Sequence, residues 1–167
     1  MKNMPLDEYR KKRDFVQSPE PKGEINIISK EDIKENEDKM VNTKPIFVVQ
    51  EHHARRLHWD FRLEMEGVLR SWAIPKGPPE EFGVRRLAIQ TEDHPIEYAN
   101  FEGEIPPRMY GAGTVKIWDR GELIIEEETD SKISFQLKGK KMTGAYSLIK
   151  VPNLGENSWL FFKKMEF

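Results

Sequence analysis

RRLHWDFRLEM, residues 55 to 65, is the stretch whose reading decides the fold. Leu57, Trp59, Phe61, Leu63 and Met65 alternate with His58, Asp60, Arg62 and Glu64. A strict period of two predicts a half-buried β-strand, because successive side chains point to opposite faces of a sheet. The apolar register is an ordinary core face. The polar register is unusual. A solvated strand face normally carries Lys, Thr, Ser and Glu, and this one lines up His, Asp and Arg.

Outward from this strand, the text from Pro45 onward is a series of short alternating or apolar runs separated by Gly, Pro and Asp. Strands are expected at 46–52, 57–65, 68–74, 86–92, 114–119, 122–128, 132–138, 144–150 and 158–164. WDRGEL and LKGKKMTGAY read as turns between neighbouring runs, and PKGPPEEFG and NFEGEIPPRMYGAG as longer loops. Many short strands and few helical periods suggest a mainly β fold over residues 45–167, a closed or nearly closed antiparallel barrel or sandwich; of the two, a single-domain antiparallel barrel with a polar catalytic pocket is expected. Residues 1–44 are rich in charge, Pro and Asn, and read as a mostly irregular N-terminal arm. Within it, ISKEDIKENEDKM predicts one short helix with Ser29 as N-cap.

The bulk composition narrows the function. A chain of 167 residues with 37% hydrophobic and 34% charged residues suits one core-bearing domain with an exposed portion. No apolar run reaches the ~20 residues of a membrane helix, and MKNMPLDEYRKKRD is not a secretory signal. With no cysteine, disulfides and thiolate metal sites are excluded, and a cytoplasmic location is expected. No spare apolar face is evident, which favours a monomer. A net charge of −2 argues against broad electrostatic coating of nucleic acid. Yet Arg55, Arg56, Arg62, Arg70, Lys76, Arg85 and Arg86 crowd one central stretch, which leaves room for a local anion site.

His58, Asp60 and Arg62 share one strand face, with neighbours about 6.6 Å apart. Gln50 and His52 share a face of the preceding strand. In RRLAIQTEDH, alternation groups Arg86, Ala88, Gln90 and Glu92, and His94 joins them if the strand persists. When the first two strands pair, His52, His58 and Asp60 form an N/N/O set suited to Mn, Fe, Co or Zn. Arg62 and Arg86 are then candidates for gripping an oxyanion through the planar guanidinium fork. The plain alternatives are structural histidines, solvated arginines, and Trp59, Phe61, Trp72, Trp118 and Trp159 as core aromatics. GAGT, residues 111–114, precedes a strand and reads as a turn rather than a phosphate cradle.

FVVQEHHARRLHWDFRLEMEGVLRSWAIPKGPP, RRLAIQTEDHPIEYANFEG and YGAGTVKIWD together closely resemble the 3′-phosphoesterase domain of bacterial ligase D. The early KRDFVQSPEPKG and the terminal WLFFK resemble that domain's two ends, so the resemblance covers nearly the whole chain, as in the family's free-standing form. It implies a divalent-metal-dependent enzyme, preferring Mn²⁺ with Co²⁺ or another first-row ion as substitutes. The implied substrate is duplex nucleic acid whose primer strand ends in a 3′-ribonucleotide or 3′-phosphate. The terminal ribonucleoside is removed, and the 3′-phosphate is hydrolysed to a 3′-hydroxyl for DNA repair by nonhomologous end joining. That implies a prokaryotic cell, work at the nucleoid, and a separate DNA ligase among the partners. Residue by residue, the resemblance makes His52, His58 and Asp60 the manganese ligands. Arg62, His94 and Tyr98 engage the phosphate. Lys76, Arg86, Glu92 and Gln50 support activity or the pocket. Arg13, Asp14 and Glu20 also match, so the early arm is expected to close over the site, with residues near 22–44 the most mobile. His53 falls on a variable position and on the face away from Gln50, and is not taken as a ligand.

Two other classes stay open on the residues alone. His58, Asp60 and a distant His94 imitate the facial triad of a non-haem iron(II) oxygenase. A non-catalytic module that binds DNA ends would need only a few charges.

Overall fold

The computed structural model describes residues 6–23 and 44–165. Nine strands follow one short helix: α1 (Asp7–Lys11), β1 (Ile46–His53), β2 (Leu57–Met65), β3 (Val68–Ile74), β4 (Arg85–His94), β5 (Gly103–Ile105), β6 (Gly113–Glu128), β7 (Lys132–Lys138), β8 (Thr143–Lys150) and β9 (Ser158–Lys163). All ladders between them are antiparallel, in the order β1-β2-β3-β4-β9-β8-β7-β6, and β1 pairs with β6 to close an eight-stranded barrel. β5 adds to the start of β6. Closure removes the free edges that an open sheet would expose.

The RRLHWDFRLEM strand behaves as its alternation predicts. Phe61, Leu63 and Met65 are buried in the barrel interior, with Trp59 packed against them. There they meet Trp72, Phe135, Tyr146, Leu148, Trp159 and Phe161, so the interior is filled by packed side chains. Phe61 stacks on Phe161 with ring centroids 4.5 Å apart, and Trp72 meets Trp159 edge-on. The expected core role of the tryptophans holds; Trp118, half-buried, packs at the margin with Lys141 over its ring. The β2–β3 turn is Glu66-Gly67 with φ of 53° and 80°. Two successive positive values make the tight hairpin that matches strand twist.

A second apolar cluster lies on the other face of the same sheet: Tyr9, Val48, Leu69, Tyr98, Ala99, Phe101, Ile105 and Val115. It packs α1 and the 3-10 turn Ile96–Asn100 onto the outside of β1–β3. The polar register of β1 and β2 continues this outer face.

Two expectations need correction. WDRGEL is not a turn, because β6 runs unbroken from Gly113 to Glu128 and joins the two strands expected at 114–119 and 122–128. Gly121 serves close approach instead; a Cβ there would lie 2.0 Å from the Lys138 carbonyl oxygen. Asp119 turns its carboxylate onto the β7–β8 turn, accepting backbone N–H bonds from Lys140, Lys141 and Met142 at 2.8–3.1 Å. The second concerns residues 7–11, read as irregular arm and helical in the structure. The helix expected at Ser29 falls outside the described residues, as do positions 24–43 of the segment expected to be mobile. The described helix is α1, five residues of almost wholly charged sequence. Burial of Tyr9 holds it, with acidic residues in its first turn and basic ones in its last, as the helix dipole favours.

Candidate metal and phosphate site

Register brings the site together. β1 and β2 pair with His52 opposite His58, Gln50 opposite Asp60 and Val48 opposite Arg62. One nitrogen of each of His52 and His58 and one Asp60 oxygen all lie within 4.8 Å of one another. His52 Nδ1 is 3.3 Å and His58 Nε2 is 3.4 Å from Asp60 Oδ2. The remaining ring nitrogens are both engaged by carbonyls: His52 Nε2–H donates to Gly111 at 2.7 Å, and His58 Nδ1–H donates to Arg56 at 3.0 Å. A carbonyl can only accept, so the second nitrogen of each ring faces Asp60: protonated it donates to the carboxylate, and deprotonated it presents a lone pair to a metal ion. A donor set of two fixed imidazole nitrogens and one carboxylate fits a first-row divalent ion. His53 points elsewhere, half exposed beside Glu51, as its register predicts.

Asp60 is held well below the usual carboxylate range. Burial pushes it up, and hydrogen bonds from His52 and His58 together with the Arg62 charge outweigh burial. His58 is raised: burial opposes protonation, but the hydrogen bond and charge of Asp60 win.

Arg62 is the next residue on this face, buried at 3% exposure. Its Nε–H donates to Gln50 Oε1 at 2.6 Å, one Nη lies 3.6 Å from Asp60, and its guanidinium sits 4.7 Å above the Tyr98 ring. Gln50 is fixed in turn, its amide donating to the carbonyls of Tyr98 and Phe101 at 2.7 and 3.1 Å.

β4 contributes through an irregularity. Its register against β3 slips by one between Ser71–Thr91 and Leu69–His94. The extra residue changes the alternation, so Thr91, Glu92 and His94 all line the pocket. His94 Nδ1–H donates to the Glu92 carbonyl at 2.8 Å, and Nε2 accepts from Arg13 at 3.3 Å. Burial, Arg62 and Arg13 drive its pKa well below the ordinary value, so the imidazole is neutral.

The N-terminal segment forms the remaining wall. Arg13 bonds Glu20 at 2.9 Å and Glu92 at 3.1 Å, and Lys12 bonds Glu92 at 3.2 Å. Glu20 accepts from Tyr98 Oη at 2.7 Å and from Ser18 at 2.8 Å. Burial, and then the charge and hydrogen bond of Glu20, keep Tyr98 protonated against the pull of Arg62. The cavity is about 250 Å³ and is lined by His52, His58, Asp60, Arg13, Glu20, Arg62, Glu92, His94 and Tyr98, among others.

Of the expected site residues, three lie apart from this cavity. Arg86 falls on the other side of β4, paired with Phe161 and in register with interior Ala88; its Nε is buried without a partner. The grouping of Arg86 with Glu92 and His94 is therefore overturned by the register slip. Lys76 is exposed in the β3–β4 loop. Asp14 accepts from the Val16 backbone and shapes the turn that delivers Ser18 and Glu20. The sequence reading missed Gly111, whose carbonyl orients His52, and Thr91, Lys12 and Tyr110. Of GAGT, only Gly111 lies in the turn, and its backbone serves the site; Gly113 and Thr114 already belong to β6.

A closed antiparallel barrel bearing a His–His–Asp metal-binding group, with buried arginines converging beside it, is the class that fold and site define. The chain belongs to the family of the DNA ligase D 3′-phosphoesterase domain, whose family model matches residues 50–150. It is 44% identical over 165 residues to the multifunctional non-homologous end joining protein LigD of Pseudomonas aeruginosa, covering 96% of this chain and 18% of that protein. The LigD proteins of Mycobacterium tuberculosis and Mycolicibacterium smegmatis are 46% and 45% identical over 155 and 167 residues, covering 87% and 93% of this chain and 18% and 20% of theirs. The chain thus spans about a fifth of the length of these relatives.

Proposed function

We propose that this chain heals 3′ ends for nonhomologous end joining, as a Mn²⁺-dependent phosphoesterase. It removes a 3′-terminal ribonucleoside from a primer–template duplex and hydrolyses the resulting 3′-phosphate to a 3′-hydroxyl that a DNA ligase can use. The observation that carries this is the adjacency of His52, His58 and Asp60 to the fixed guanidinium of Arg62. When bound there, a divalent ion would polarise a phosphoryl oxygen or acidify a water molecule.

The chain's own residues do the rest. Arg62, aimed by Gln50, and Arg13, aimed by Glu20 and Glu92, present fixed positive charge to the phosphoryl oxygens from largely buried positions. His94 is neutral because burial first, and then the charges of Arg62 and Arg13, hold its pKa well below the ordinary value. An arriving phosphate offsets that charge and favours imidazolium, whose Nε2–H then donates to a phosphoryl oxygen. The same proton is available to the leaving 3′-oxygen, so both roles follow from one protonation. Lys76, Arg86 and Asp14 act from outside the cavity, Asp14 through the Ser18–Glu20 turn.

Two histidines and a carboxylate also hold iron in oxygenases, but there the substrate need not be anionic. The converging arginines favour phosphoryl chemistry. The test is a duplex primer ending in one ribonucleotide, incubated with purified protein and Mn²⁺. A 3′-phosphate and then a 3′-hydroxyl should appear, and EDTA should stop both. End binding without turnover would leave only a DNA-end-binding module; full activity in His52→Ala or Asp60→Ala would overturn the metal assignment.

A further inference from the structure

Tyr110 has no role in the chemistry above, and its setting gives it one. It is 45% exposed, whereas Tyr98, the other aromatic ring of the cavity wall, is 2% exposed. A large aromatic left nearly half in solvent at the mouth of a charged pocket keeps ring surface free for a ligand beyond the cations that pack on it. The ring is not loose. Lys12 and Arg13, consecutive residues of the N-terminal segment, lie 4.8 and 5.2 Å from its centroid. Its neighbour Gly111 is tied through its carbonyl to His52. Backbone bonds from Met109 to Pro106 and from Ala112 to Met109 brace the loop, and Arg108 within it takes a left-handed φ of 71°. Tyr110 is therefore held at a fixed offset from the metal-binding group.

The space beside it is also defined. A second groove of about 470 Å³ adjoins the cavity and shares Thr91, Glu92 and Tyr110 with it. That volume lies in the ~300–1,000 Å³ range of small-molecule sites. Its wall carries Glu8, Glu92 and Asp93 against the one cation Lys12, itself paired with Glu8 and Glu92, so it disfavours a second phosphate and suits an uncharged group rich in donors. A nucleoside meets this description, with a base to stack and hydroxyls to donate.

We propose that Tyr110 is the stacking platform for the base of the 3′-terminal nucleoside, which lies in this groove while its phosphate lies in the cavity. The proposal rests on the phosphoesterase reading and adds a specificity-determining residue to it. Stacking on an aromatic ring is tolerant of base identity, so it selects for the presence of a base and not for its sequence.

The test compares two duplex primers, one ending in an ordinary ribonucleotide and one in an abasic ribose, with wild-type protein, Tyr110→Phe and Tyr110→Leu. Wild type should favour the base-bearing end in kcat/KM by about tenfold, the scale of one base–aromatic stack. Tyr110→Phe should keep that ratio, and Tyr110→Leu should lose it, chiefly through KM. A terminal 2-aminopurine, whose fluorescence is quenched by stacking, should be quenched on binding by the first two proteins and not by Tyr110→Leu. An unchanged ratio in Tyr110→Leu overturns the platform while leaving the phosphoesterase reading standing. Wild-type protein that turns over neither end overturns both.

Discussion

Gln50 illustrates how a neutral side chain directs a charged one. Its amide nitrogen is committed to two carbonyls, so its oxygen must face Arg62 Nε. Replacing it by Leu would leave a buried guanidinium N–H without an acceptor, a loss on the order of 1–3 kcal/mol. Gln50→Leu is expected to lower 3′-phosphatase kcat/KM by about 10- to 100-fold, on that same energy scale. Steady-state kinetics checks this; undiminished activity would mean that Arg62 keeps its aim unaided. Arg62→Lys should not behave as a conservative change, because an ammonium cannot span Gln50, Asp60 and a phosphate as a fork does. The residues themselves were legible in the sequence, since alternation alone groups His58, Asp60 and Arg62. Gly111 was not, because its contribution is a backbone carbonyl, which no side-chain pattern reports.

At the scale of elements, residues 6–23 are held to the barrel by the buried Tyr9 ring and by charge. Glu92 takes hydrogen bonds from Lys12 and Arg13. Burial pushes its pKa up, but its own backbone N–H and the charges of Arg13 and Lys12 outweigh burial and hold it below the ordinary carboxylate range. A carboxyl depressed by folding stabilises above its unfolded pKa, and that contribution is lost as pH falls below about 4.3. The N-terminal segment should therefore become protease-sensitive in mild acid before the barrel unfolds, and Glu92→Gln should show that sensitivity already at neutral pH. Limited proteolysis across pH measures both; simultaneous loss of segment and barrel would refute it. β6 carries a different lesson. Gly121 looks like a turn glycine in WDRGEL, yet it sits where β6 crosses close to Lys138. Gly121→Ala must displace backbone, and should cost about 1–3 kcal/mol in chemical denaturation, as overpacking does. A neutral effect would restore the turn reading.

For the molecule as a whole, the barrel separates stability from chemistry. The interior is an aromatic core around Phe61, and the site occupies the outer face of the same strands. Phe61→Ala should cost about 3–5 kcal/mol. His58→Ala, which removes no interior contact, should leave the unfolding free energy of metal-free protein within about 1 kcal/mol of wild type while abolishing metal-dependent turnover. Denaturant melts in EDTA test the contrast. A large loss in His58→Ala would show that the two faces are energetically coupled.

The sequence by itself pointed to most of the strands, their buried faces and the His52–His58–Asp60 trio, because side-chain alternation is a local property of extended chain. A long irregular motif match carried the family as well. Only the tertiary structure decided that the pocket lies outside the barrel, between the sheet and the N-terminal segment. It also decided that Arg86 turns toward the interior while Glu92 and His94 turn toward the site. One inserted residue in β4 separates those outcomes. A bulge changes facing without altering composition or period enough to be seen, and a charged arm such as residues 6–23 finds its place only when the barrel supplies Glu92 to receive it.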